Sequence, residues 1–159
     1  MLALGALLAL LFAQALTQQS PAPPVTFTSL KGEKISMESL RGKVVLVNFW
    51  ATSCIRCIRE MPQMIDTYRK YNTQGLEAIA VAMSYDPPNY VVYYTEKNAL
   101  PYKVALDVQG NIAQAFGDVK FTPTTFIIDK RGKIIKRILG EPDFAQLYDL
   151  LEVKLKESV

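Results

Sequence analysis

Cys54-Ile55-Arg56-Cys57 holds the residues best suited to chemistry in this sequence, and they are the only two cysteines among its 159 residues. There is no histidine. Without imidazole the chain can build no Ser-His-Asp or Cys-His nucleophile, no histidine-containing zinc site and no histidine general base. A zinc ion would need two further soft ligands, and the chain supplies none. No metal and no bound cofactor is therefore expected. Two thiols at this spacing are suited to disulfide exchange, in which one thiolate attacks a partner's disulfide and the other thiol releases the mixed disulfide so formed.

The elements around the pair assign a role to each sulfur. Lys43 to Trp50 (K-V-V-L-V-N-F-W) is a nearly continuous apolar run rich in β-branched residues, which predicts a strand buried on both faces. After the cysteines, Ile58, Met61, Ile65 and Tyr68 fall at i, i+3, i+7 and i+10, which predicts an amphipathic helix starting near Cys54 and kinked at Pro62. Cys54 would then sit in the first turn, where free N-H groups and the helix dipole favour a thiolate, and becomes the expected nucleophile. Cys57 would face the side of Met61 and Met64, more buried, as the resolving thiol. Arg56, with Arg59 nearby, adds positive charge that stabilises the reduced form and makes the couple more oxidising. Resolution needs a proton acceptor for Cys57. Glu60, three residues on, is one candidate and Asp86 a weaker one. Against that role, Glu60 reads equally as a surface glutamate paired with Arg56.

Further along, Thr122-Pro123-Thr124 precedes the apolar run Thr124 to Asp129, so Pro123 would begin a strand without costing a ladder donor, as a cis residue or a plain turn proline. Lys130-Arg131-Gly132 and Lys133 to Leu139 complete a hairpin. Leu76 to Met83 reads as a second buried strand. Segments around Val25 to Thr28 and Ile35 flank a turn at Lys31-Gly32-Glu33. Helices are expected over Pro88 to Asn98, in a short piece around Ile112 to Phe116, and along the stripe Phe144, Leu147, Tyr148, Leu151 and Leu155. Strands alternating with helices argue an α/β sandwich around a mixed sheet.

Residues 1–24 differ in composition from the rest. Met1 to Leu16 is apolar except for Gln14, and no charged side chain precedes Lys31. Its length suits a signal-peptide h-region, and Ala13-Gln14-Ala15 offers a cleavage pattern. The missing basic segment leaves room for a start further upstream. We therefore expect a signal peptide or N-terminal membrane anchor plus linker over 1–24 and one domain over 25–159, exported to a compartment that permits disulfides. The formal charge of +3 is spread along the chain without a basic block, so no nucleic-acid partner is expected.

The run V-V-L-V-N-F-W-A-T-S-C-I-R-C-I-R-E-M-P (Val44 to Pro62), then F-T-P-T-T-F-I-I-D (Phe121 to Asp129) and a G-K-I hairpin, resembles the TlpA-type branch of the thioredoxin superfamily. These are exported bacterial thiol-disulfide oxidoreductases, some serving cytochrome c or oxidase copper-site maturation. The resemblance implies an α/β thioredoxin fold, a central mixed sheet flanked by helices with an N-terminal β-hairpin extension. It also implies Cys54 and Cys57 as the redox pair, with Pro123 as a cis-proline beside them. Trp50, Ser53, Arg56 and the backbone of Thr122 would contact the partner's chain. The implied partners are protein disulfides and a membrane electron donor, acting on a monomer in the periplasm or cell envelope, with the chain as reductant.

Ser53 stands where the family usually has Trp, and Arg56 where it commonly has Pro. Asn48 replaces the buried Asp of cytoplasmic thioredoxins, which leaves Glu60 the stronger acceptor. The Arg56 charge predicts a midpoint potential above the ~−270 mV of thioredoxin. Two alternatives rank lower. A copper chaperone could bind Cu(I) through both thiolates but lacks the histidine its relatives add. A peroxiredoxin would need P-x-x-x-T-x-x-C, and positions 47 and 51 are Val and Ala.

Overall fold

Seven consecutive buried residues make β3 (Val44–Trp50) the centre of the protein. The structure is a computed structural model and describes residues 20–158. β3 pairs in parallel with β4 (Leu76–Ala82), and β4 in parallel with β5 (Lys103–Leu106). On its other side β3 pairs antiparallel with β6 (Thr124–Ile128), which pairs antiparallel with β7 (Ile134–Leu139). The order β5-β4-β3-β6-β7 is the expected mixed sheet, and β1 (Thr26–Thr28) with β2 (Lys34–Ser36) forms the expected separate N-terminal hairpin.

Side-chain alternation along β3 builds two cores, because a strand covered on both faces must be apolar at odd and even positions alike. Val44, Leu46 and Trp50 point to one face and pack with α1 (Ile55–Tyr71), α2 (Pro88–Lys97) and α4 (Phe144–Lys156), through residues such as Met61, Val91 and Leu151. Val45, Val47 and Phe49 point to the other, where Phe27 and Ile35 of the hairpin and Ile112 of the short α3 (Asn111–Ala115) cover them. Phe49, Phe116 and Phe126 meet there with ring centroids 4.9 to 5.9 Å apart.

The structure changes several expectations. The buried stripe of α1 is Cys57, Glu60, Met61, Met64, Thr67 and Tyr71, while Ile58, Ile65 and Tyr68 lie at its half-buried border. Cys57, Met61 and Met64 share the buried side as expected, but the periodic set Ile58, Ile65 and Tyr68 was displaced from it because two members of the buried face, Glu60 and Thr67, are polar. Pro62 lies inside the helix at an exposed position. β5 escaped the sequence reading because four residues give too short a pattern. Residues 20–24, expected as linker, are partly held on the domain: the Ile134 N-H donates to the Ser20 carbonyl at 2.8 Å and the Ala22 N-H to Gly132 at 2.9 Å. At the opposite edge, the Leu30 N-H donates to Val104 at 3.0 Å. The segment before β3 thus covers part of both sheet edges, which would otherwise expose unpaired backbone groups. The leader expected over Met1 to Leu16 lies outside the described residues, and among the described residues no helix is long and apolar enough to cross a membrane.

Candidate active site

The carboxyl ends of β3 and β4 and the amino end of β6 share one edge of the sheet, since Phe49 sits opposite both Val81 and Thr124. β3 feeds α1 there through Ala51-Thr52-Ser53, and Cys54 is the N-cap residue of α1 in an extended conformation (φ −88°, ψ 102°). Its sulfur accepts the Cys57 N-H at 3.2 Å, and its carbonyl accepts the Ile58 N-H at 3.1 Å. Cys54 and Cys57 are joined in a disulfide, with Cα atoms 5.2 Å apart. Cys54 is half-buried and Cys57 fully buried, so only the first sulfur is open to attack.

The loop that presents Cys54 is pinned by Asp86. Its carboxylate accepts the Thr52 N-H and the Thr52 hydroxyl, each at 2.6 Å, and Asp86 is itself buried. Both oxygens accept from this loop, so the role the structure shows for Asp86 is to hold the segment that presents Cys54. Asp86→Ala is expected to cost about 1–3 kcal/mol, the range for leaving a buried donor unsatisfied, and Asp86→Asn less. Urea unfolding of the oxidised protein measures it, and an unchanged midpoint for the Ala variant would remove the brace.

Glu60 lies one turn beyond Cys57 and is 1 % exposed. That corrects the surface-glutamate alternative, and Arg56, which is exposed, makes no ion pair with it. The partner is instead Asn48, whose amide donates to Glu60 Oε1 at 3.0 Å and to Thr125 Oγ1 at 2.9 Å. Glu60 Oε2 is buried without a partner. Burial raises the carboxyl to about pKa 7; the Asn48 hydrogen bond opposes this and the charge of Glu141 adds to it. The buried phenol of Tyr102, also pushed up by burial, donates to Met61 Sδ at 2.7 Å and feels the Glu60 charge. A single polar residue within the otherwise apolar run of β3 was the sequence signal for this buried pair.

The other expected site residues divide. The Thr122-Pro123 peptide bond is cis, Pro123 is buried, and its carbonyl accepts the Gly140 N-H at 2.8 Å. Thr122 is half-buried, and its backbone makes no hydrogen bond among the described residues. Ser53 and Arg56 are exposed, with Arg56 reaching toward Gly140. Arg59 pairs with Glu141. Trp50 is fully buried, its ring 5.4 Å from that of Tyr94, and this corrects its expected place on the partner-contact surface: the strand that carries it is covered on both faces. Among the described residues no group of three or more His, Cys, Asp or Glu side chains is placed to hold a metal ion.

The Redoxin family pattern matches residues 17–151. The thiol-disulfide oxidoreductase ResA of Bacillus thuringiensis subsp. konkukian is 39% identical over 131 residues, covering 82% of this chain and 75% of that protein. The ResA of Bacillus subtilis is 29% identical over 140 residues, covering 88% and 77%. A crystal structure of a thiol:disulfide interchange protein of the thioredoxin family from Chlorobium tepidum superposes with a TM-score of 0.79 at 26% identity, covering 87% of this chain and 98% of that one. With a five-stranded mixed sheet presenting Cys54 and Cys57 at a helix start, the chain belongs to the Redoxin family and is a thioredoxin-like thiol-disulfide oxidoreductase.

Proposed function

We propose that this oxidoreductase reduces disulfides of exported proteins in the bacterial cell envelope, with Cys54 attacking and Cys57 resolving. The observation that carries the assignment is the contrast between a half-buried Cys54 at the helix start and a fully buried Cys57 one turn from a carboxylate with a pKa of about 7. In the reduced protein the α1 N-terminus favours the Cys54 thiolate. It attacks one sulfur of the partner's disulfide, that S–S bond breaks, and the departing thiolate takes a proton from water. Cys57 then gives its proton to Glu60 and attacks the Cys54 sulfur. The mixed disulfide breaks, the partner's second thiolate leaves, and the Cys54–Cys57 disulfide forms. Two electrons have passed to the partner. Glu60 returns its proton to the leaving thiolate or to water.

Thr122, whose backbone makes no hydrogen bond among the described residues, sits beside buried Pro123 and pairs with the partner's extended chain, and Ser53 and Arg56 border the contact. A membrane electron donor restores the dithiol of a monomeric, N-terminally exported or anchored protein. The apolar Met1 to Leu16 run supports that location, and the resemblance supports cytochrome c or oxidase maturation as the service performed.

Direction is tested by alkylating thiols in intact cells. Cys54 and Cys57 are expected to be reduced at steady state, and a persistent disulfide would overturn the reductant role. Equilibration with glutathione is expected to give a midpoint above ~−270 mV. A clearly more negative value removes the part given to Arg56.

A further inference from the structure

Among the described residues, eight large apolar side chains are more than half exposed, and five of them, Ile55, Tyr85, Val108, Phe121 and Leu139, lie at the sheet edge that carries Cys54. Scattered singly, such residues need no explanation, but their concentration at one edge marks a contact surface. Two of them border the same segment. Tyr85 follows β4, Phe121 precedes the cis bond, and the Tyr85 hydroxyl lies 3.3 Å from Thr122 Oγ1. Asp86, next to Tyr85, grips Thr52 of the cysteine loop. The connection after β4 is thus tied both to Thr122 and to the loop that presents Cys54, which holds the Tyr85 backbone at this edge and lowers the ordering cost of binding there.

The other flank differs in charge. Arg59 is neutralised by Glu141 and Lys120 by Asp118, whereas exposed Arg56 has no ion-pair partner among the described residues. It extends toward Gly140, just beyond Leu139. By the strand order, an extended segment laid along Thr122 has exposed Tyr85, after β4, on one side and Arg56, beside the end of β7, on the other, with exposed Phe121 next to it.

We infer that Tyr85 and Phe121 select the substrate: the preferred partner is an extended polypeptide whose cysteine is flanked by a large apolar side chain, seated against these two rings, and by an acidic residue facing Arg56. The inference rests on Cys54 being the attacking thiol.

Matched disulfide peptides of equal length test it, one with Leu and Asp flanking the reactive cysteine and one with Ser and Lys. The reduced protein is expected to prefer the first by about tenfold or more in kcat/KM, the scale on which a filled apolar pocket discriminates. Tyr85→Ala and Phe121→Ser are each expected to cut that ratio by about threefold or more, the remainder being the Asp-against-Lys preference that Arg56 retains, while Tyr85→Phe, which keeps the ring and loses the hydroxyl, keeps more of it than Tyr85→Ala. The readout is a ratio within one protein, so a variant that folds or exchanges less well does not disturb it. Equal rates for the two peptides with the wild-type protein, or an unchanged ratio in the Ala and Ser variants, would overturn the inference. Loss of the ratio in Tyr85→Phe would overturn the role of the ring. Failure of Cys54 to react with either peptide would strike the exchange assignment instead.

Discussion

A Cys57→Ser variant is expected to stop after one event per molecule, accumulating a stable mixed disulfide between Cys54 and the partner, while Cys54→Ser accumulates none. The asymmetry comes from burial. Cys57 is fully enclosed, with its N-H directed at the Cys54 sulfur, so no partner disulfide can reach it in the first step. Cys54, at the N-cap of α1, can be reached and is favoured as a thiolate. Once Cys57 is a serine, nothing else in the chain can attack the Cys54 sulfur, because no third cysteine exists. Non-reducing electrophoresis of cell-envelope extracts after acid quenching reads the result and identifies the partners. Equal trapping by both single variants would sink the assignment of roles.

The second large effect belongs to Glu60→Gln. An acceptor with a pKa of about 7 is half ionised at neutral pH, so the resolving step should rise as pH increases through 7 in the wild type. In the Gln variant that rise should disappear and resolution slow by about a hundredfold, the lower end of what a positioned acid or base contributes. Stopped-flow measurement of mixed-disulfide decay from pH 5 to 9 checks both. A retained inflection near 7 would show that another group takes the proton.

Stability moves the opposite way. Glu60 titrates near 4.5 when unfolded and about 7 when folded, so between those values the folded state holds the extra proton and wild-type stability falls as pH rises. That contribution is fully present below 4.5 and gone above about 7, a change of about 3 kcal/mol. Glutamine, which can still accept the Asn48 hydrogen bond, avoids it. The oxidised variant should therefore gain about 3 kcal/mol on wild type between pH 4 and pH 8, read from urea midpoints. The same buried carboxyl would then serve resolution and weaken the fold, a usual trade at a reacting site.

Much of this was legible in the chain because local pattern and tertiary role agreed. β3 announced itself by an unbroken apolar run, the β6–β7 hairpin by Gly132 between two β-branched stretches, and the cysteines by falling between a strand and a helix. What stayed hidden depended on contacts far apart in sequence. Asp86 braces Thr52 across 34 residues and Asn48 reaches Thr125 across 77, and neither spacing leaves a periodic trace. Trp50 misled for a related reason: next to a redox motif it reads as a contact residue, yet the helix that starts five residues later folds back over that face of β3 and seals it. The true face of α1 was obscured because Glu60 and Thr67, polar by type, sit on its buried side.

The docking of Ser20 to Ala22 against Gly132 and Ile134 also sets an orientation. β7 starts at Ile134, opposite Ile128, and ends at Leu139, opposite Thr124, so the point where the chain enters the domain lies about 20 Å, one strand length, from the edge carrying Cys54. The contact that seats Ser20 to Ala22 and the reactive sulfur therefore occupy opposite poles of the domain, so whatever touches one leaves the other open.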